Sequence, residues 1–304
     1  MDIFVSDLDG TLLNDKARIS LRSEKILNKL AERGVYFTVA SARTPLSAIP
    51  ILKNMKLRLP VILLNGGMLY DMNRHQILKV TGFGAEQVSR IFEAEKKAGL
   101  CGMLLSAEER GGNRKLYLNL GETGSTEAER KRLWDGYFDL RSASNAGIAE
   151  PEYIRRSAKE LTDACIIYGL YMDDRQERLA AMAGFLGKEP GLSLDLYRDI
   201  YTEDRWCLEI TSGETSKKQG AEELKRMCGA DRMIGFGDGE NDLPLFEACE
   251  EAYAVANGCE SLKKAADGVI GSNLEDGVAV YMEERCRDYA EDSCGEPLSF
   301  KYSG

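Results

Sequence analysis

The sequence predicts an α/β protein: a doubly wound parallel sheet interrupted by an inserted α+β block. Three observations carry this reading. Short apolar runs of strand length recur along the chain, and each ends in small or polar residues. Helical segments with one apolar face separate these runs near the start and again near the end, the rhythm of βα units. Between Thr81 and Tyr201 that rhythm gives way to aromatic-rich strands, a helix and a stretch dense in charge and glycine.

Ile3-Phe4-Val5 reads as a buried strand. It runs into Asp7-Leu-Asp-Gly-Thr11, which should turn sharply because Asp and Gly are poor strand formers. Ser20 is placed to cap a helix that carries Ile26, Leu27, Leu30 and Ala31 on one face and stops at Gly34. Val35–Ala40 is the second strand, with Ser41-Ala42-Arg43 at its carboxyl end, and Pro45 opens the next helix. Val61–Leu64 is the third strand, ending in Asn65-Gly66-Gly67.

In the middle block Glu86–Ala98 reads as helix and Gly102–Ser106 as strand, and Ala107–Asn113 is rich in charge and glycine. Ala164–Met172 and Leu192–Tyr201 read as strands around a helix, Asp174–Leu186, with Tyr168 and Tyr171 as strand packing. Trp206–Ile210 is read as the return to the parallel core, followed by a helix entered through Thr215-Ser216-Lys217. Met233–Phe236 is a strand that runs into Gly237-Asp-Gly-Glu-Asn-Asp242. A helix (Leu243–Ala248), a strand (Ala252–Ala256, ending in Asn257-Gly258) and a last helix (Val278–Tyr289) lead to a polar tail. At 304 residues two domains are expected: a discontinuous core of 1–81 and 202–304, and an inserted block of 82–201.

Composition narrows the function. The net charge of −10 disfavours nucleic acid or an anionic membrane as partner, and no apolar run has the length of a membrane span. Eight scattered cysteines without a Cys-x-x-Cys pair, behind an acidic start with no leader pattern, read as reduced thiols of a cytoplasmic protein. The single histidine, His75, lies in a polar stretch and reads as a surface residue, which removes Ser-His, Cys-His and multi-histidine zinc mechanisms.

Asp7 and Asp9 follow a strand end, where open α/β sheets bind ligands. Two adjacent acids repel unless neutralised, and a hard cation such as Mg²⁺, usually shared with a phosphate, answers that need. One carboxylate is then free to act as nucleophile and its neighbour as acid/base. Asp238 and Asp242 repeat the pattern at a second strand end, so four acids converge on one edge of the sheet. Lys217 at a helix start and the Ser41 hydroxyl complete a set suited to phosphoryl transfer.

These four segments, in this order and with a middle insertion, resemble the motifs of the haloacid dehalogenase-like hydrolase superfamily, and within it the Cof-type phosphatases. Asn65-Gly66-Gly67 and Asn273-Leu-Glu-Asp-Gly-Val278 add to the likeness, which covers Met1–Thr81 and Trp206–Met282. The resemblance implies a Rossmann-like core with an inserted cap that selects the substrate, a small phosphorylated metabolite. It implies Asp7 as the nucleophile that becomes an aspartyl-phosphate, and Asp9 as the acid that protonates the leaving alcohol and then activates water. Mg²⁺ would sit on Asp7, the Asp9 backbone carbonyl and Asp238, with Asp242 nearby. Thr11, Ser41, Ala42, Arg43, Asn65, Lys217 and Asn241 would contact phosphate or substrate. Ser41, Ala42 and Lys218 depart from the commoner Thr, Gly and Gly, and Lys218 offers a competing cation. The alternatives are a phosphomutase using the same intermediate and a non-catalytic phosphometabolite-binding protein.

Overall fold

The computed structural model describes residues 1–110, 113–120, 152–154, 165–198 and 205–287. In chain order, β1 (Asp2–Ser6) leads through a tight turn, Leu8–Leu12, to α1 (Leu21–Glu32), β2 (Tyr36–Val39) and α2 (Pro45–Leu52). Next come β3 (Val61–Leu63), β4 (Met68–Asp71), β5 (Gln76–Val80), α3 (Ala85–Ala98), β6 (Met103–Arg110), β7 (Asn113–Leu120) and β8 (Glu152–Ile154). β9 (Ile166–Asp173), α4 (Gln176–Leu186), β10 (Leu192–Arg198) and β11 (Trp206–Ser212) follow. The chain continues through α5 (Lys217–Cys228), β12 (Arg232–Gly237), α6 (Leu243–Ala248), β13 (Glu251–Val255), α7 (Glu260–Ala265), β14 (Gly268–Ile270) and α8 (Gly277–Arg285). Contacts divide the chain into two compact units, Val80–Thr215 and the remainder on either side of it.

The flanking unit is built on a five-stranded sheet ordered β14-β13-β12-β1-β2, and every pairing in it is parallel. From β1 the chain steps outward to β2 on one side, while β12, β13 and β14 fill the other. The order therefore reverses between β1 and β12, and ligands of such sheets bind at that switch point. One face of the sheet packs Ile3, Val5 and Met233 against Ala221 and Leu224 of α5 and Leu245 of α6. On the other face the Phe236 ring stacks on Phe4 and Tyr253 and meets Tyr281 of α8 edge-on. A single parallel bridge, Ala40 to Ile62, joins β3 to the end of β2. β3 otherwise belongs to a separate three-stranded sheet, β3-β4-β5, whose last two strands were not anticipated from sequence. His75 sits exposed in the turn between β4 and β5.

The inserted unit is a six-stranded sheet ordered β10-β11-β9-β6-β7-β8, antiparallel except where β8 joins β7. α3 and α4 cover it through Val88, Ile91, Leu179, Met182 and Leu186, packed on Leu104, Tyr171, Leu208 and Ile210. Tyr171 is wholly buried and donates to the equally buried Glu95 at 3.0 Å.

Three sequence expectations are corrected. Trp206–Ile210 does not return to the parallel sheet: as β11 it pairs antiparallel with both β9 and β10. The strand expected at Gly102–Ser106 is longer, since β6 runs from Met103 to Arg110, and its pairing with β7 supplies the backbone partners that composition hides. The last helix ends at Arg285; Tyr289 and the tail lie outside the described residues. Among the described residues no helix is long and apolar enough to cross a membrane.

Phe236 is fully buried in β12, the strand that delivers Gly237 and Asp238 to the switch point. Phe236→Ala is expected to lower unfolding free energy by about 3–5 kcal/mol, measured by urea denaturation. A loss below about 1 kcal/mol would show that the aromatic stack does not anchor β12.

Candidate active site

Each residue of the site is placed by a strand end or a helix start of the flanking unit. Asp7 follows β1, and its backbone N–H still bonds to Phe236 of β12, at 2.9 Å, so the two strand ends leave the sheet together. Lys217 is the first residue of α5, behind the cap residue Ser216, whose hydroxyl accepts from the Gln219 N–H. Its ammonium donates to Asp7 Oδ1 at 2.5 Å and to Asp242 Oδ1 at 2.6 Å. All three side chains are buried, with side-chain exposures of 1%, 6% and 0% for Lys217, Asp7 and Asp242.

Burial at this depth sets the proton affinities. It pushes the Asp7 carboxyl from 3.8 up to about 7, outweighing the lowering effect of Lys217, and the negative charge of Asp242 adds to the rise. Burial acts to lower the Lys217 ammonium, but Asp7 and Asp242 more than compensate, so its affinity for the proton rises and it stays charged. Asp238 is also raised by burial, against the hydrogen bond it accepts from Thr11. Lys218, the competing cation, pairs with Glu247 at the surface.

Asp238 is fitted tightly against the Leu8–Leu12 turn. Thr11 donates to its Oδ1 at 2.7 Å. Gly10 has φ +78°, and a Cβ there would fall 2.3 Å from Asp238 Oδ2, so only glycine serves. Asp242 accepts from the N–H groups of Asp238 and Gly239 through its second oxygen, at 2.9 and 3.0 Å. Carboxylate oxygens of Asp7, Asp238 and Asp242 lie within 4.8 Å of one another. This all-oxygen, anionic donor set fits a hard divalent cation, which would relieve the repulsion that Lys217 leaves uncancelled.

Asp9 stands apart from this cluster. Its side chain is 54% exposed, and Arg43 grips both oxygens in a bidentate fork, Nε to Oδ2 at 2.7 Å and a terminal nitrogen to Oδ1 at 2.6 Å. Ser41 is buried, and its hydroxyl accepts from the Arg43 N–H at 3.2 Å. Asn65 reaches the same loop by its backbone, donating to the Ser41 carbonyl at 3.0 Å. Leu64, Asn65 and Gly66 are consecutive residues of positive φ. A Cβ on Gly66 would lie 2.0 Å from the Ser216 carbonyl, so this turn presses directly on the entry to α5.

Of the residues expected from sequence, Asp7, Thr11, Lys217, Asp238 and Asp242 thus form one bonded cluster, and Asp9, Ser41 and Arg43 a second. Thr11 is committed to Asp238, and Ala42 has only its backbone to offer. Asn241 is exposed, with its amide against Gly239 and no hydrogen-bond partner among the described residues. Sequence reasoning gave no role to Asn257, although it noted the Asn-Gly pair ending a strand. Its amide donates to the Gly10 carbonyl at 2.7 Å.

The model of the haloacid dehalogenase-like hydrolases matches residues 4–282. The chain belongs to that family. Among curated relatives of this hydrolase, the 5-amino-6-(5-phospho-D-ribitylamino)uracil phosphatase YitU of Bacillus subtilis is 22% identical over 286 residues, covering 91% of this chain and 95% of its own. TM0651 from Thermotoga maritima shares the fold at a TM-score of 0.70 and 24% identity, over 93% of this chain and 96% of that one. The sugar phosphatase BT4131 of subclass IIB does so at 0.62 and 18%, over 94% and 99%. The hydrolase is a phosphatase, cleaving phosphoric esters, and family members work with a divalent metal.

Lys217→Ala leaves Asp7 and Asp242 buried and unneutralised, and is expected to destabilise the metal-free hydrolase by about 3–5 kcal/mol at pH 8. Asp7 binds its proton more tightly folded than unfolded, so between pH 7 and 4 the folded state gains stability as pH falls. The deficit of the variant should therefore shrink on acidification from pH 8 to 5. Thermal melts across that range test the sign; a deficit that grows on acidification would contradict it.

Proposed function

We propose that this phosphatase is a Mg²⁺-dependent monoesterase for a small phosphorylated metabolite, acting through an aspartyl-phosphate on Asp7. The observation that carries the reading is the division of labour between two acids one residue apart. Asp7 is buried and bonded to a lysine that favours its ionised form and aims it, as suits a nucleophile; Asp9 is open to solvent and held by an arginine.

Asp7 attacks phosphorus through a carboxylate oxygen while Asp9 gives its proton to the departing ester oxygen. The alcohol leaves, and the phosphoryl group is carried on Asp7. Asp9, now a carboxylate, takes a proton from water, which attacks the phosphorus, releases inorganic phosphate and restores Asp7. Lys217 offsets charge on the transferring group, and the Ser41 hydroxyl, the Ala42 amide, Arg43, Asn65 and Asn241 line the approach to it. Mg²⁺ would be held by Asp7, Asp238 and the Asp9 carbonyl with Asp242 close by, and when bound supplies positive charge against the phosphate oxygens.

The named activities of YitU and BT4131, on a phosphorylated ribitylamino uracil and on sugars, support a sugar phosphate or cofactor-precursor phosphate as the substrate class. The seven described cysteines are free, which supports a reducing, cytoplasmic setting.

Phosphate release from a panel of sugar, nucleotide and cofactor phosphates, with Mg²⁺ or with chelator, tests the proposal. Turnover is expected with metal and lost in chelator. Asp7→Asn should lower kcat by about 10³-fold or more while the melting temperature is retained. Substantial Mg²⁺-dependent turnover in that variant would remove Asp7 from the role.

A further inference from the structure

Two asparagines outside the proposed chemistry form a continuous link to the turn that carries it. The Asn257 amide nitrogen donates to the Gly10 carbonyl at 2.7 Å, and its oxygen accepts from the Asn273 N–H at 2.9 Å. The Asn273 amide in turn donates to the Leu13 carbonyl at 2.8 Å. Both ends of the Gly10–Leu13 backbone are therefore held from the same side. The turn bearing Asn257 also grips the second acidic loop. Cys259 N–H donates to the Asp238 carbonyl at 2.8 Å, and a Cβ on Gly258 would lie 3.2 Å from both Asp238 Cα and that carbonyl oxygen.

We infer that Asn257 and Asn273 are positioning residues of the phosphatase, setting the separation between the Asp7–Asp9 turn and Asp238. The inference rests on the reading of those acids given above. The geometry leaves little slack: Gly10 lies against the Asp238 carboxylate with no room for a methyl group, and Thr11 bonds to that carboxylate. A shift of the Gly10 carbonyl is passed one peptide back to the Asp9 carbonyl and across to Asp238. The link is anchored as well as continuous. Asp276, four residues after the turn-opening Ser272 and held at φ +61°, accepts from the hydroxyls of Ser20 and Ser23 at the start of α1.

Asparagine is required at 257 for a chemical reason. The site presents a carbonyl on one side and an N–H on the other, so the side chain must donate and accept at once. Aspartate keeps the acceptor but sets a carboxylate oxygen against the Gly10 carbonyl. Asn257 is exposed, so its bonds contribute little to global stability, and loss of positioning is separable from loss of fold.

The test uses the full chain as wild type, Asn257→Ala and Asn257→Asp. Hydrolysis of p-nitrophenyl phosphate is followed against Mg²⁺ concentration, Mg²⁺ binding by calorimetry, and unfolding by thermal melts without metal. Asn257→Ala is expected to lower kcat by about 10–100-fold and to weaken Mg²⁺ binding severalfold. KM for the ester should stay within about twofold, and Asn257→Asp should be at least as impaired. Unchanged kcat and Mg²⁺ affinity in both variants overturn the inference, as does wild-type behaviour of the aspartate variant or a loss that only tracks a lowered melting temperature. If the wild type releases no phosphate, the catalytic reading fails by itself. Calorimetry then still decides: weaker Mg²⁺ binding in Asn257→Ala upholds the positioning role, and equal binding ends it.

Discussion

The site depends on one buried ammonium shared by two buried carboxylates. Lys217 is closed off from water, and so are Asp7 and Asp242, which leaves one positive charge among three acids once Asp238 is counted. Such a cluster is costly to desolvate and persists only because the surrounding backbone over-determines it. β1 and β12 hold Asp7 and Asp238 at adjoining strand ends, Asp242 is fixed by two N–H groups, and α5 enters through a capped residue pressed by the Gly66 turn. The excess negative charge suits the site to a hard divalent cation.

Much of this arrangement was legible in the sequence, because its strongest signals are local. A buried apolar strand that ends in two acids announces itself at Ile3–Asp9 and again at Met233–Asp242, and both strands lie where the sheet order reverses. Lys217 was singled out at the helix start, with Lys218 beside it as a competing cation. The two are adjacent at a helix start, and only the packing of α5 on the sheet turns one toward Asp7 and the other toward Glu247. Thr11 and Arg43 illustrate the same limit: their residue types suggested phosphate contacts, whereas in the fold Thr11 is bonded to Asp238 and Arg43 to Asp9.

The inserted unit was read less well for a different reason. β6 and β7 carry Glu108, Glu109, Arg114 and Lys115 along a hairpin, so charge and glycine content masked strands whose backbone pairing is regular. β11 is as apolar as a core strand, and nothing in Trp206–Ile210 says which sheet it joins. The Asn257–Asn273 link left no trace of its own, since its targets are main-chain carbonyls 247 and 260 residues away. A side chain that bonds to backbone imposes no residue type on its partner.

The pairing of β1 with β12 has a consequence for how the chain is made. Asp2 sits opposite Arg232 and Ser6 opposite Phe236, so on this edge β1 has to wait for a strand made more than 200 residues later. The described strands and helices of the inserted unit, α3 through β11, leave the ribosome before the central parallel pair can close. The unit from Val80 to Thr215 can therefore be complete while β1, which has β2 available on one edge, still lacks β12 on the other. During translation the open edge of β1, with Ile3 and Val5 on one face of the strand and Phe4 on the other, lacks that neighbour for the duration, the interval in which chaperone binding or aggregation is decided.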